Sequence, residues 1–301
     1  LRGKTRMNKK LLPVLGLLLL PFVSAHGQEG DISFKSTELA PGLYMLEGQG
    51  GFAGGNLGLS TGDDGVVLID DGVAPLAPKL LAAIEDIAGR PADFVINTHL
   101  HGDHTGGNAA LRETGATIIG HENVRRRMLE SDDGSEPGAE EAIPEITFSR
   151  SMTFHLNGHE AFVFHVASAH TDGDAVISFR EVDVIHAGDI FFNGVFPFID
   201  LDSGGSVSGL LEAQDDILSL AGAETRIIPG HGPLASKADL QAARDMLADA
   251  RERVQKLVDA GNSEQDILDA NPLAAYDDWN WSFITTEVMI RTLIRDLGEA
   301  G

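Results

Sequence analysis

The stretch Thr98-His99-Leu100-His101-Gly102-Asp103-His104-Thr105-Gly106-Gly107-Asn108 constrains this chain more than any other. It follows Asp93-Phe94-Val95-Ile96-Asn97, a short apolar run that reads as a buried strand, so three imidazoles and a carboxylate leave one strand end together. In an extended segment His99 and His101, two residues apart, point to the same side. A turn at Gly102 then swings Asp103 and His104 toward a second point nearby. Bland loops are built from Ser, Asp, Gly and Lys, so ligand-type residues at this density call for metal, and one loop can hold two adjacent cations.

Composition narrows what those cations meet. The chain has no cysteine, so any metal sits on His, Asp, Glu or water. A formal net charge of -24 repels phosphate backbones, which excludes nucleic acid as a partner and leaves a small-molecule substrate. A hydrophobic fraction of 43% over 301 residues is enough for a substantial core.

The amino terminus has the layout of an export signal. After Met7 come Lys9 and Lys10, the apolar run Leu11 to Val23, and then Ser24, Ala25, His26 and Gly27, with cleavage expected after Ala25 or Gly27. Residues 1–27 are therefore expected to direct the protein to the periplasm, Leu1 to Arg6 lying upstream of a plausible start at Met7. The run is short and interrupted by Pro13 and Pro21, and no Cys follows it, so no stable membrane anchor is expected after cleavage. No linker divides the rest, and residues 28–301 are expected to form a single domain with a helical C-terminal segment.

Along the chain, β patterns at Ile32 to Phe34, Gly42 to Leu46, Asn56 to Ser60 and Gly65 to Asp70 read as sequential antiparallel strands. A helix over Ala74 to Ala88 leads to the strand before the ligand loop. A short helix after Thr105, a strand over Ala116 to Gly120 and a helix over Glu122 to Glu130 follow, and Ser131 to Pro144 reads as an acidic surface loop. The second half repeats the theme with strands at Met152 to Leu156, Ala161 to Ala167, Ala175 to Phe179, Asp183 to His186 and Thr225 to Pro229. Helices are expected over Val207 to Leu220 and Ser236 to Ala260, near Ser263, and over Ser282 to Leu297. Two β-then-α halves suggest two sheets face to face with helices outside.

Three more ligand-type residues follow apolar strands: His170 after Val166-Ala167, Asp189 after Val184-Ile185-His186-Ala187-Gly188, and His231 after Ile227-Ile228-Pro229-Gly230. With the first loop they make a set of histidines and aspartates that suits two metal ions with room for water. His121, His155, His159, His165 and His186 sit in or beside apparent strands and read as structural or solvent-facing, with His186 the nearest rival ligand. The stretch Phe191-Phe192-Asn193-Gly194-Val195-Phe196-Pro197-Phe198 follows Asp189 directly and offers four rings as an apolar pocket wall, with Phe191, Phe192, Asn193 and Phe196 foremost, against the plainer alternative that two of the four rings fill the core. Trp279 and Trp281 lie in the helical C-terminus, packed on the sandwich or lining the pocket.

The ordered motifs His-x-His-x-Asp-His, His170-Thr171, Gly188-Asp189 and Pro229-Gly230-His231-Gly232 resemble those of the metallo-β-lactamase superfamily over about Ile32 to His231. The resemblance implies an α+β fold, a four-layer αββα sandwich with metals at one edge. It implies that His99, His101 and His170 hold a first metal, that Asp103, His104 and His231 hold a second, and that Asp189 bridges them. Asp70, in Leu68-Ile69-Asp70-Asp71-Gly72, matches the family's acidic residue behind the first loop and would orient a ligand histidine.

The activity implied is that of a dinuclear Zn²⁺ hydrolase, with iron or manganese as other metals, in which a metal-bound hydroxide oriented by Asp103 attacks a carbonyl. Departures from the family's branches narrow the bond. One β-lactamase subclass has Cys where Asp189 stands and a lysine soon after, and another has His where Thr105 stands. Transfer-RNA-processing relatives need a basic surface. A cyclic amide or ester, β-lactam or lactone, is therefore the leading expectation. Alternatives are a thioester hydrolase of glyoxalase II type, a mononuclear iron persulfide dioxygenase, and a non-catalytic periplasmic metal-binding protein.

Overall fold

The computed structural model describes residues 31–130 and 140–299. The expected export signal and most of the acidic loop after Ser131 lie outside them; Glu140–Ala142, within that loop, forms a short 3-10 turn.

The first sheet holds β1 (Ser33–Ala40), β2 (Leu43–Gln49), β3 (Leu57–Gly62), β4 (Gly65–Ile69), β5 (Phe94–Ile96), β6 (Thr117–His121) and β7 (Ile146–Phe148), neighbours in that order. β1 to β4 pair antiparallel and β4 to β7 parallel. Parallel neighbours need crossovers, supplied by α1 (Ala77–Ala88), then α2 (Gly102–Thr105) with α3 (Asn108–Glu113), then α4 (Glu122–Glu130). Each crossover returns the chain so that the carboxyl ends of β4, β5 and β6 share one edge.

The second sheet runs β13-β12-β11-β10-β9-β8, with β8 (Ser151–Leu156), β9 (His159–His165), β10 (Ala175–Phe179), β11 (Val184–Phe192), β12 (Arg226–His231) and β13 (Ala235–Ser236). Its one parallel pair among the described residues is β11 with β12, joined through α5 (Val207–Leu220). The chain closes with α6 (Lys237–Asp259), α7 (Glu264–Ala270) and α8 (Thr286–Glu299). Both α6 and α7 start with capping boxes, Ser236 with Asp239 and Ser263 with Asp266.

Strand periodicity sorts the side chains into layers. In β4, Val67 and Ile69 face the second sheet, where Val163, Ile177 and Phe179 meet them, while Val66 and Leu68 face outward onto Leu80 and Ile84 of α1. On the far side Ile185, Ala187 and Ile227 pack against Leu210 and Ile217 of α5, Leu247 of α6 and Leu293 of α8. The result is helix, sheet, sheet, helix, the αββα sandwich expected from the sequence.

The departures are local. β11 does not stop at His186 but continues through Asp189 to Phe192, because Ile190-Phe191-Phe192 prolongs the apolar run. Its ladder with β12 shifts register on both sides of Gly188, whose φ of 51° breaks the regular pleat. β7, β13 and the 3-10 turn Ala274–Trp279 are too short or too polar to show as periodicity.

Candidate metal centre

Each ligand-type residue reaches the shared edge for a local reason. His101 is extended (φ -66°, ψ 147°) and precedes α2, so the chain turns at Gly102 and brings Asp103 and His104 to a second point beside His99, the His99 and His104 rings 4.2 Å apart. His170 lies in the turn between β9 and β10, Asp189 in the irregular part of β11, and His231 at the end of β12. Gly230 is needed here: a Cβ would collide with the Asp189 carboxylate. Gly55 likewise lets the β2–β3 loop close on the His104 ring.

The expected ligands converge in two groups, His99, His101, His170 and Asp189 in one and Asp103, His104 and His231 in the other, each with its ligand atoms within 4.8 Å of one another. His101 Nδ1 lies 3.1 Å from His99 Nε2 and 2.9 Å from His170 Nε2. Asp189 stands between the groups, its Oδ2 3.5 Å from His170 Nε2 and 3.6 Å from His231 Nε2, its Oδ1 3.1 Å from His104 Nε2. Asp103 Oδ2 lies 3.3 Å from His231 Nε2.

The nitrogens facing away carry the protons. His101 Nε2 donates to Asp200 Oδ2 at 2.9 Å, His170 Nδ1 to the Phe198 carbonyl at 2.8 Å, and His104 Nδ1 to Asp70 Oδ2 at 2.7 Å. Thr98 Oγ1 gives its proton to Asp70 Oδ2 at 2.7 Å, so it accepts from His99 Nδ1 at 3.0 Å. Three imidazoles, those of His99, His101 and His170, are thereby left with lone pairs pointing inward. Lone pairs 3 Å apart repel unless a cation sits among them, and buried His104 Nε2 and Asp189 Oδ1 have no hydrogen-bond partner. With no thiolate in the set, the residues fit a borderline or hard divalent ion, zinc included.

Electrostatics separate the two groups. Burial pushes His99 well below the ordinary histidine value and His170 down to about 4, so both stay neutral. Burial acts the same way on His104 and His231, but carboxylates outweigh it: Asp189 and Asp70 raise His104 well above the ordinary value, and Asp189 and Asp103 raise His231 to about 9. Burial would raise Asp189, yet His104, His231 and His99 hold it well below the usual carboxylate range.

Asp70 sits behind both loops, fully buried and in the left-handed region (φ 58°), with Thr98 N bonded to its Oδ1 at 2.7 Å. Asp200, which fixes His101, went unrecognised in the sequence because no spacing links a loop acid to a histidine 99 residues away. His186 is buried but turns its nitrogens to the Asn56 carbonyl and the Gly188 N–H, so it is no member of either group. His121 and His165 stack on each other at 3.8 Å and bond backbone carbonyls.

The expected pocket wall needs correction. Phe191 and Phe196 are 0% exposed and belong to the core under α5 and α6. Alternation along β11 is the reason: Phe191 points to the helices and Phe192 to the metal edge, where its ring stacks 5.2 Å from His231. Asn193 bonds the Pro233 carbonyl at 3.0 Å. Phe198, the last ring of the expected wall, lies 5.5 Å from His101, and Phe52, from the β2–β3 loop and without any signal in the sequence, lies parallel to His231 at 6.3 Å. A cleft of about 400 Å³ opens beside His231 between Phe52, Ala53, Asn56 and Pro233, with Glu47 the one charged residue in its lining.

A fold of two sheets with ligands gathered at the carboxyl ends of their parallel strands is that of metal-dependent hydrolases built as αββα sandwiches. The chain belongs to the metallo-beta-lactamase superfamily, whose family model matches residues 50–245. Its relatives include a hydroxyacylglutathione hydrolase of Polaromonas sp., 28% identical over 175 residues, 58% of this chain and 61% of that protein. The chain thus spans less than two thirds of that relative's length. Similar solved structures are a metallo-beta-lactamase from Pontibacter korlensis (TM-score 0.60, 18% identity, 72% of this chain and 100% of that one). Another is the metallo-beta-lactamase FIM-1 from Pseudomonas aeruginosa in its mono-zinc form (TM-score 0.59, 19% identity, 72% and 96%).

Proposed function

We propose that this protein is a zinc hydrolase carrying two ions, which opens the carbonyl–heteroatom bond of a cyclic amide or ester, β-lactam or lactone. The observation that carries the reading is the convergence of seven ligand residues in two groups, the outward nitrogens of His99, His101, His104 and His170 being already anchored. His99, His101 and His170 would hold one ion, Asp103, His104 and His231 the other, with Asp189 between them. Bound there, such ions polarise a carbonyl oxygen and lower the pKa of coordinated water from about 16 toward about 7.

The chain's own residues do the rest. Burial would raise the Asp103 carboxyl, but His231 and His104 keep it below its ordinary value, so it stays ionised. It is the most exposed of the seven, 24% accessible, and from there it can orient a water and take up its proton. Phe192 and Phe52 pack around His231 and keep water from its faces. Asp70 and Asp200 hold the imidazoles in the tautomer the ions need.

A second reading, thioester hydrolysis, is favoured by the curated relatives' name. Against it stands the charge beside the centre: Glu47 lines the cleft, and an anionic thioester would meet it. Export of the mature chain after cleavage near Ala25 or Gly27 is part of the proposal, and the mass of the protein recovered from the periplasm tests it.

The deciding experiment measures metal content on the purified chain, then turnover of a chromogenic cephalosporin, a simple lactone and a hydroxyacylglutathione thioester. Expected are two zincs, turnover of the first or second substrate, loss of it on chelation and its return with Zn²⁺. Preference for the thioester would move the assignment to the second reading. One iron with oxygen uptake, or tight zinc without any turnover, would replace it with the dioxygenase or the metal carrier.

A further inference from the structure

The C-terminal segment reaches the metal edge from outside the family-matched residues. Among the described residues, two of the most exposed large apolar side chains, Phe52 (60%) and Phe283 (57%), lie at this edge. From His231 a row of rings runs around the mouth: Trp281 at 5.8 Å, Phe283 at 5.7 Å from Trp281, Phe198 at 5.2 Å from Phe283, and His101 at 5.5 Å from Phe198. The row therefore joins a histidine of one ligand group to a histidine of the other with aromatic surface alone. It is held in place at its base, where Trp281 Nε1 donates to the Phe196 carbonyl at 3.0 Å and Phe196 N–H to the Trp279 carbonyl at 2.8 Å. Aromatic surface left half in solvent, braced on the buried Phe196 and set beside a reactive centre, is a place for something apolar to cover.

We infer that Trp281 and Phe283 are specificity-determining residues that bind an uncharged aliphatic or aromatic group attached to the scissile carbonyl. The inference rests on the reading of the centre as a carbonyl hydrolase. A carbonyl carbon placed between His101 and His231 puts its substituent along the arc, where Phe198, Phe283 and Trp281 offer one continuous apolar wall. The carboxylates at the mouth, Asp103 and Asp200, disfavour an anionic substituent, and Glu47 does so on the opposite side. The group is thus long and neutral rather than short or acidic.

The test uses the zinc-loaded chain with two readouts. One is kcat/KM on 4-nitrophenyl acetate, 4-nitrophenyl octanoate and the 4-nitrophenyl monoester of suberic acid, which has a similar reach and a terminal carboxylate. The other is calorimetric binding of 2-octanone and 2-butanone, neutral carbonyl compounds that are not hydrolysed. Expected is a preference for octanoate over both other esters of about tenfold or more, falling at least about fivefold in Phe283→Ala and in Trp281→Phe, with 2-octanone binding weakened in step. Trp281→Phe guards against misfolding, and Leu220→Ala, an exposed apolar residue on α5, should leave every value unchanged. Equal losses on all esters, unchanged 2-octanone binding in both variants, or suberate taken as well as octanoate would overturn the inference. If no ester turns over but 2-octanone still binds through Phe283, the hydrolase reading fails and the apolar site stands. If 2-octanone does not bind at all, the site is overturned whatever the hydrolysis shows.

Discussion

The two ligand groups sit side by side at one edge of the sandwich yet are prepared for metal in opposite ways. Around His99, His101 and His170 the imidazoles face one another, and burial keeps the His99 and His170 rings neutral with lone pairs free. Around His104 and His231 the carboxylates of Asp70, Asp103 and Asp189 dominate, and the same ring type is held protonated. A cation enters the first group by filling a void between lone pairs. It enters the second only by displacing protons. What decides is the count of carboxylates within a few ångströms, because at similar burial the desolvation cost is similar and the Coulomb terms differ.

The largest effect expected from this contrast is on pH dependence. Each proton displaced costs about tenfold in apparent affinity per pH unit below the raised pKa. Zinc bound by the second group should therefore weaken by about a hundredfold or more between about pH 8 and about pH 6, His231 being raised to about 9. The first group, with His170 titrating at about 4, should hold its ion across that range. Zinc content after dialysis at stepped pH checks this: a fall from two ions to one sustains the contrast, and simultaneous loss of both breaks it.

Removing a first-group ligand comes next. His170→Ala should lower kcat/KM by about a thousandfold or more, the several kcal/mol that a Lewis acid supplies. His231→Ala should leave one tightly held zinc by atomic absorption, where His170→Ala leaves the remaining ion loosely held. Equal stoichiometry in the two variants would mean that the groups are not distinct.

The acids behind the ligands sharpen the comparison further. Asp70 serves both groups, through Thr98 to His99 and directly to His104, whereas Asp200 serves His101 alone. Loss of such a partner typically costs 10- to 100-fold in metal affinity. Asp70→Asn should weaken both ions, and Asp200→Asn only the one held by the first group, read from chelator competition at pH 8. A uniform loss in both variants would show that Asp200 acts through general stability.

The smallest effect on chemistry belongs to the buried rings. Phe191→Ala should cost about 3–5 kcal/mol of stability, the usual penalty for a large cavity, seen as a lower midpoint in denaturant. Among the molecules that remain folded, the ester-length preference should not change. A changed preference would put Phe191 back in the pocket, from which its complete burial removes it.

Most of the centre was legible in the sequence. His99, His101, Asp103 and His104 share one turn after one strand, so their proximity follows from local backbone geometry. His170, Asp189 and His231 each follow apolar runs whose carboxyl ends an αββα sandwich gathers at one edge, and the layers follow from period-two alternation in strands such as β4. The sequence also limited the donors to imidazole and carboxylate, because it contains no cysteine.

Tertiary structure alone decided the rest. Which of Phe191, Phe192, Phe196 and Phe198 face the metals depends on where β11 stops and how the following loop folds, and neither leaves a periodic trace. The Asp200–His101 bond and the reach of Trp281 and Phe283 to the mouth join segments some 50 to 100 residues apart, brought together when α5, α6 and α8 bury their apolar faces on the second sheet. Local turns can be read from neighbours in sequence. Contacts made by packing depend on how the burial of whole faces is resolved, and a linear pattern of residues does not carry that outcome.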